Sequence, residues 1–164
     1  MSHRKKIADK IVAANEAVQM VKAWKAAGLK VAFTNGCFDL LHYGHVDYLS
    51  RAADLADRLV VGLNTDASVG RLKGPHRPIQ SEASRALVMA GLGFVDVVVF
   101  FDEQTPLKLI SALLPDVLVK GADYSVDDIV GAKEVLASGG CVKTISLSEG
   151  YSTSAIEHRI LSSK

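Results

Sequence analysis

The stretch Thr34-Asn35-Gly36-Cys37-Phe38-Asp39-Leu40-Leu41-His42-Tyr43-Gly44-His45 concentrates the side chains best suited to chemistry. His42 and His45 stand three apart with Gly44 between them. Imidazoles so spaced can donate hydrogen bonds to phosphate oxygens, and a glycine beside them lets backbone N–H groups approach an anion. Two loop histidines are more often plain polar surface. A zinc site would need a Cys, Asp or third His at metal spacing, which the neighbourhood lacks. Position tips the balance. The pair follows an apolar run, Lys30 to Thr34, and opens a helix from Gly44 whose free N–H groups and positive end make an anion site. Cys37 has nothing beside it to activate a nucleophile and reads as a small buried thiol.

Three other segments could complete such a site. Ala67 to Ser81 carries Arg71, Lys73, His76 and Arg77 with no carboxylate before its end. It reads as a basic loop, punctuated by Gly74-Pro75 and Arg77-Pro78, that can close over a substrate. Lys73 is the first choice for a flexible phosphate contact and Arg71 the second. A basic loop of a near-neutral chain is ordinarily solvated surface, but this one follows a strand and hangs over the same sheet edge as the histidines. Lys120-Gly121-Ala122-Asp123-Tyr124 leaves another apolar run; a lysine there suits a ligand better than a core. Asp123 is a candidate nucleotide partner, although an Asp after a strand also turns loops. Ser152-Thr153-Ser154 opens the last helix, where hydroxyls cap backbone N–H groups and can also hold a phosphate.

The elements that must position these residues alternate. Short apolar runs at Lys30 to Thr34, Arg58 to Asn64, Val95 to Phe101, Val117 to Lys120 and Cys141 to Leu147 read as strands. Helical patterns fall near Asn15 to Ala27, Gly44 to Ala56, Ser81 to Leu92, Thr105 to Leu113, Gly131 to Ser138 and Thr153 to Leu161. Alternation of this kind predicts one Rossmann-like three-layer α/β domain: a five-stranded, mainly parallel sheet with helices on both faces. Residues 1–29 are expected as a helical segment packed on a domain of residues 30–164. Ligands of such sheets bind at the carboxyl ends of strands, near a topological switch.

Composition removes several alternatives. With 19 Lys+Arg against 18 Asp+Glu, the net charge of +1 gives no global field to draw in nucleic acid or an anionic membrane. No apolar stretch approaches the roughly 20 residues of a spanning helix. Two cysteines, Cys37 and Cys141, form neither a disulfide framework nor a zinc spacing. With no export signal in the basic start, a cytoplasmic location is expected.

His42-x-Gly44-His45 after a strand, with Gly36-x-Phe38-Asp39 upstream, resembles the signature of the cytidylyltransferase-like nucleotidyltransferases. The likeness continues through Val61 to Ser68, Arg71 to Gly74, Arg77-Pro78, Val119 to Tyr124 and Gly150 to Ser154, from about residue 30 to 161. These segments are similar to the D-glycero-β-D-manno-heptose 1-phosphate adenylyltransferases, which make ADP-heptose for bacterial cell-surface polysaccharide. In some relatives the domain is fused to a heptose kinase; here it is expected to stand alone.

The resemblance implies that AMP passes from ATP to a sugar 1-phosphate with release of pyrophosphate, in the presence of Mg²⁺. It implies catalytic roles for His42, His45 and Lys73. Nucleotide binding falls to Asn35, Gly36, Cys37, Phe38, Gly44, Lys120, Gly121, Asp123, Ser152, Thr153 and Ser154. Substrate binding falls to Asn64, Asp66, Arg71, Arg77 and Arg85, and Asp39 is the candidate metal ligand. A homodimer or larger homo-oligomer is expected, with small-molecule partners only. Two positions depart from the pattern: Ala122 stands where a glycine is expected, and Leu147 where many cytidylyltransferases carry an arginine. Lys120 is the candidate replacement for that cation. Alternatives remain: a cytidylyltransferase for glycerol 3-phosphate or an alditol phosphate, and a non-catalytic nucleotide-binding module. A fragment of a class I aminoacyl-tRNA synthetase is disfavoured, since neither a KMSKS-like loop nor a basic stripe is present.

Overall fold

The computed structural model of the chain describes residues 2–122, 125 and 128–163. Its strands are β1 (Ile11–Val12), β2 (Val31–Gly36), β3 (Arg58–Asn64), β4 (Val97–Phe101), β5 (Val117–Gly121) and β6 (Cys141–Ile145). Its helices are α1 (His3–Ala8), α2 (Ala14–Ala26), α3 (Tyr43–Ala53), α4 (Asp66–Lys73), α5 (Glu82–Gly91), α6 (Leu107–Leu113), α7 (Ala132–Ala137) and α8 (Thr153–Ser162).

All the strands pair in parallel, in the order β1-β4-β3-β2-β5-β6. The central strands are apolar on both faces because both are covered. In β3 the six residues after Arg58 are buried, and in β4 Val97, Val98 and Val99 are fully buried. One face packs Leu49, Leu59, Val61, Met89 and Val98 beneath α3 and α5. The other packs Val21, Phe33, Val60, Leu109 and Leu118 beneath α2, α6 and α7. Each fully buried Val or Leu contributes about 1.5–3 kcal/mol of burial energy. At the β6 edge Lys143 and Thr144 are exposed, as their polarity predicts. Gly28 and Gly139, at φ 80° and 87°, follow α2 and α7 and allow the left-handed turn that ends a helix.

Two expectations are corrected. The sheet has six strands, not five: Ile11-Val12 pairs in register with Val98 and Val99 at the far edge. Two residues carry no readable alternation, so this strand exists only because β4 offers an edge. The basic segment after β3 is also not a loop throughout. Its first half is α4, capped by Thr65, whose hydroxyl accepts from the Ser68 N–H, and anchored by buried Ser68 and Val69.

From β2 the chain winds outward through β3 to β4, then crosses back to lay β5 on the other side of β2. The switch point therefore lies between β2 and β5, where Asn35-Gly36 and Lys120-Gly121 end their strands side by side.

Candidate active site

A cleft of about 520 Å³ opens at this switch point. Its floor is the end of β2 and the loop into α3, and packing fixes that loop's shape. Phe38 sits at φ 44°, an uncommon conformation for a residue with a side chain, and folds its ring back over Gly36. A Cβ on Gly36 would stand 2.9 Å from that ring. The Phe38 ring meets the His45 imidazole edge-on, with centroids 5.3 Å apart. His45 in turn stacks on His42 at 3.8 Å. Gly44 is needed for crowding: a Cβ there would lie 3.2 Å from both the His42 ring and the Tyr151 Cβ.

His42 is the N-cap residue of α3; among the described residues its side chain makes no capping bond, and Gly44 in the first turn lines the cleft. Burial lowers the pKa of both histidines, that of His45 to about 4, with the neighbouring His42 adding to the shift. Both shifts favour the neutral imidazole, which still has one ring N–H to donate. Among the described residues neither Nδ1 atom has a hydrogen-bond partner, although both are buried. Polar atoms left this way await a ligand or water.

Two lysines supply the positive charge. Lys73, at the end of α4, and Lys120, at the end of β5, both line the cleft. Lys120 donates to Asn35 Oδ1, and burial lowers its pKa to about 8. Asp39 is the only carboxylate lining the cleft among the described residues, and it is already engaged. Its oxygens accept from the Ile79 and Gln80 N–H groups at 2.8–3.0 Å and from Arg77 Nη1 at 3.2 Å. Burial alone would raise its pKa, but these donors outweigh it and hold the carboxyl below the usual range. The metal role expected of Asp39 does not fit a carboxylate so occupied. Among the described residues no three His, Cys, Asp or Glu side chains are arranged to hold a metal ion.

The cleft thus gathers Asn35, Gly36, Cys37, Phe38, His42, Gly44, His45, Lys73, Lys120, Gly121, Ser152, Thr153 and Ser154, all expected from the sequence. Asp123 lies outside the described residues. The residues expected to bind the second substrate are not among those lining it. Arg85 is buried: its guanidinium donates to the Gln80 and Cys37 carbonyls and to Asp66 Oδ1. It clamps the histidine loop and engages Asp66 in doing so. Asn64 is buried and donates to Ser68 Oγ at 2.9 Å. Arg71 pairs with exposed Asp102 at 3.1 Å. Arg77 bridges Asp39 and Glu157. Burial pushes the pKa of the Cys37 thiol up, against the pull of Lys73 and Arg85.

Sequence reading gave no cleft role to Tyr48, Leu147, Ser148 or Tyr151, which complete the lining. Tyr48 follows His45 by one helical turn, which was a usable signal. Its hydroxyl bonds Thr34 Oγ1 at 2.8 Å, and burial pushes its pKa to about 12. Leu147, half-exposed, stands beside Gly121 where the arginine was expected.

A parallel sheet with a two-histidine loop and paired lysines at its switch point defines a class. The cytidylyltransferase-like family model matches residues 33–159, and the chain belongs to that family. Its relatives include the bifunctional protein HldE of Caulobacter sp. (strain K31), 58% identical over 96% of this chain and 32% of that protein. The bifunctional protein HldE of Vibrio cholerae serotype O1 (strain M66-2) is 55% identical over 89% of this chain and 31% of that protein. The chain spans about a third of the length of these curated relatives. A solved structure, the lipopolysaccharide core biosynthesis protein from Thermoplasma volcanium GSS1, is 30% identical, with a TM-score of 0.59. It covers 76% of this chain and 100% of its own. Among the described residues no helix is long and apolar enough to cross a membrane.

Proposed function

We propose that the chain transfers AMP from ATP to D-glycero-β-D-manno-heptose 1-phosphate, giving ADP-heptose and pyrophosphate. The observation that carries this reading is the charge balance of the cleft. Lys73 and Lys120 bring positive charge to it beside the neutral donors His42 and His45, while its one described carboxylate is paired with Arg77. Such a site favours a polyanion, and a bulky one, since about 520 Å³ is available. The similarity of the 61–74, 119–124 and 150–154 segments to the heptose adenylyltransferases supports the choice of acceptor. So do the relatives called HldE and the lipopolysaccharide core biosynthesis protein.

In this reaction an oxygen of the sugar phosphate attacks the α-phosphorus of ATP. The bond from that phosphorus to the bridging oxygen breaks, and pyrophosphate leaves with the electron pair. The sugar phosphate is already ionised, so the site needs orientation and positive potential rather than a base. We assign His42 and His45 to donate hydrogen bonds to phosphate oxygens as negative charge grows on them. Lys73 and Lys120 offset the repulsion between two anions, and the α3 and α8 N-termini add backbone and hydroxyl donors. Mg²⁺ enters this scheme with the triphosphate as part of the substrate. A cytoplasmic location and a homo-oligomeric state belong to the same reading.

The test is pyrophosphate release with Mg²⁺ across four nucleoside triphosphates and heptose, hexose and glycerol phosphates. Release with ATP and the heptose 1-phosphate alone is the expected result. Release with a different pair would replace the substrate assignment. ATP binding without release from any pair would overturn catalysis in favour of a nucleotide-binding module.

A further inference from the structure

The last helix is the weakest-anchored wall of the cleft. None of the ten residues of α8 is buried, and Ile160 and Leu161 stand exposed. Apolar burial, which fixes α3 and α5, therefore does little to place it. Its first turn nevertheless lines the cleft through Thr153 and Ser154, next to the N-cap Ser152. The loop before it is tied to α3: Ser148 Oγ donates to Asp47 Oδ2 at 2.8 Å and Arg51 Nη1 to the Ser146 carbonyl at 3.1 Å. Both ties end before the helix begins.

Within α8, among the described residues, the polar tie to the rest of the molecule is Glu157, whose Oε2 accepts from Arg77 Nη2. Arg77 is well placed to transmit position. Its side chain is only 13% exposed, and its other nitrogen, Nη1, is held by Asp39 at 3.2 Å. Asp39 is itself fixed by the Ile79 and Gln80 N–H groups and lies three residues before His42. A planar guanidinium gripped at one end makes a stiff link to whatever holds the other.

We propose that Glu157 is a positioning residue for nucleotide binding: through Arg77 and Asp39 it holds the hydroxyl-bearing first turn of α8 in register with His42 and His45. The kinetic and affinity arms of its test rest on the AMP-transfer reading; the exchange arm does not.

Charge and position predict opposite signs, which makes the test sharp. Removing a carboxylate near an anion site should strengthen nucleotide binding if charge alone matters. Loss of register should weaken it. Glu157→Ala is therefore expected to raise the Kd for MgATP, measured by calorimetry on the full chain, by about threefold to tenfold. The value of kcat should stay within about twofold, because the histidine loop is anchored independently of α8. Glu157→Gln keeps an acceptor for Arg77 and should return affinity to within about twofold of the parent. Hydrogen exchange of the 152–160 amides should quicken in Glu157→Ala and recover in Glu157→Gln, while the melting temperature moves little in either. A Kd unchanged or lowered in Glu157→Ala would overturn the proposal, as would unchanged exchange. If the parent chain binds no MgATP, the functional reading fails, and exchange alone decides whether Glu157 holds the helix.

Discussion

Two walls of one cleft are held by different physics. The wall carrying His42 and His45 continues from β2 into α3, with buried Phe38, Tyr48 and Leu49 behind it and the Arg85 guanidinium gripping the Cys37 carbonyl. The wall carrying Ser152, Thr153 and Ser154 belongs to a helix with no fully buried residue, tied to the rest of the molecule through Arg77, while the loop before it is tied to α3. A group that must meet charge developing on phosphorus needs fixed geometry, which a packed core supplies. A wall that must let a nucleotide in and pyrophosphate out can be lightly held. The comparison suggests a division of labour: the packed wall governs turnover, and the light wall governs affinity.

The largest effect should come from the packed wall. His45→Ala removes a preorganised donor and should lower kcat by about 10²–10³, the range for losing one donor to a developing charge. Pyrophosphate release measures it, with thermal melting as the check that the domain still folds. His42→Ala should behave alike. A change confined to KM in both would break the comparison, because it would place turnover elsewhere.

The cations sharpen it next. Lys73 lines the cleft, whereas Arg71, two residues earlier on the same short helix, turns to exposed Asp102. Lys73→Ala should therefore cost turnover about tenfold to a hundredfold, as removal of a charged phosphate contact does. Arg71→Ala should stay within about twofold, as loss of an exposed pair predicts. Steady-state kinetics on the two variants side by side decides the matter.

Lys120 adds a pH signature. Burial holds its pKa near 8, so in the free protein it loses charge as pH rises through that value. A bound triphosphate favours the charged form, so binding takes up a proton at and above this pH. Affinity for MgATP should then weaken from about pH 8 upward, by no more than about tenfold per pH unit for one proton. The sign for folding is the reverse. The unfolded lysine keeps its proton up to 10.5, so it binds more protons than the folded one between about 8 and 10.5, and stability rises with pH there. Calorimetry from pH 7 to 9 on the parent and Lys120→Ala tests the first statement. A slope that persists without Lys120 would remove its charge from the account.

Much of this was legible in the residues because local chemistry dictated it. The Arg58 to Asn64 strand was readable because five of its six consecutive buried positions, Leu59 to Leu63, form a continuous apolar run. The two-histidine loop was readable from a glycine spacing that packing requires. What stayed hidden depends on long-range partners. The β1 strand is two residues that pair only because β4 ends the sheet. The partners of the arginines stayed hidden for a related reason. Arg71, Arg77 and Arg85 carry the same charge as Lys73, and nothing local reveals which find a carboxylate or carbonyl through the fold. A guanidinium that can satisfy several acceptors at once is readily taken up as structure, as Arg85 is by Gln80, Cys37 and Asp66. The lysines left in the cleft are compact point charges, of which Lys120 meets an amide oxygen.

The smallest expected effect belongs to the light wall. The Ser152 hydroxyl accepts from the Ala155 N–H at 3.0 Å and caps α8. Ser152→Ala should cost the helix about 0.5–2 kcal/mol, as loss of an N-cap does. Because α8 buries no residue, that cost falls on the helix alone, and the melting temperature of the domain should hardly change. Faster amide exchange confined to 153–158, with a modest rise in the Kd for MgATP and little change in kcat, is the pattern a lightly held affinity wall requires. A lowered melting temperature would show instead that α8 is coupled to the core despite its exposure, and the two walls would then be one unit.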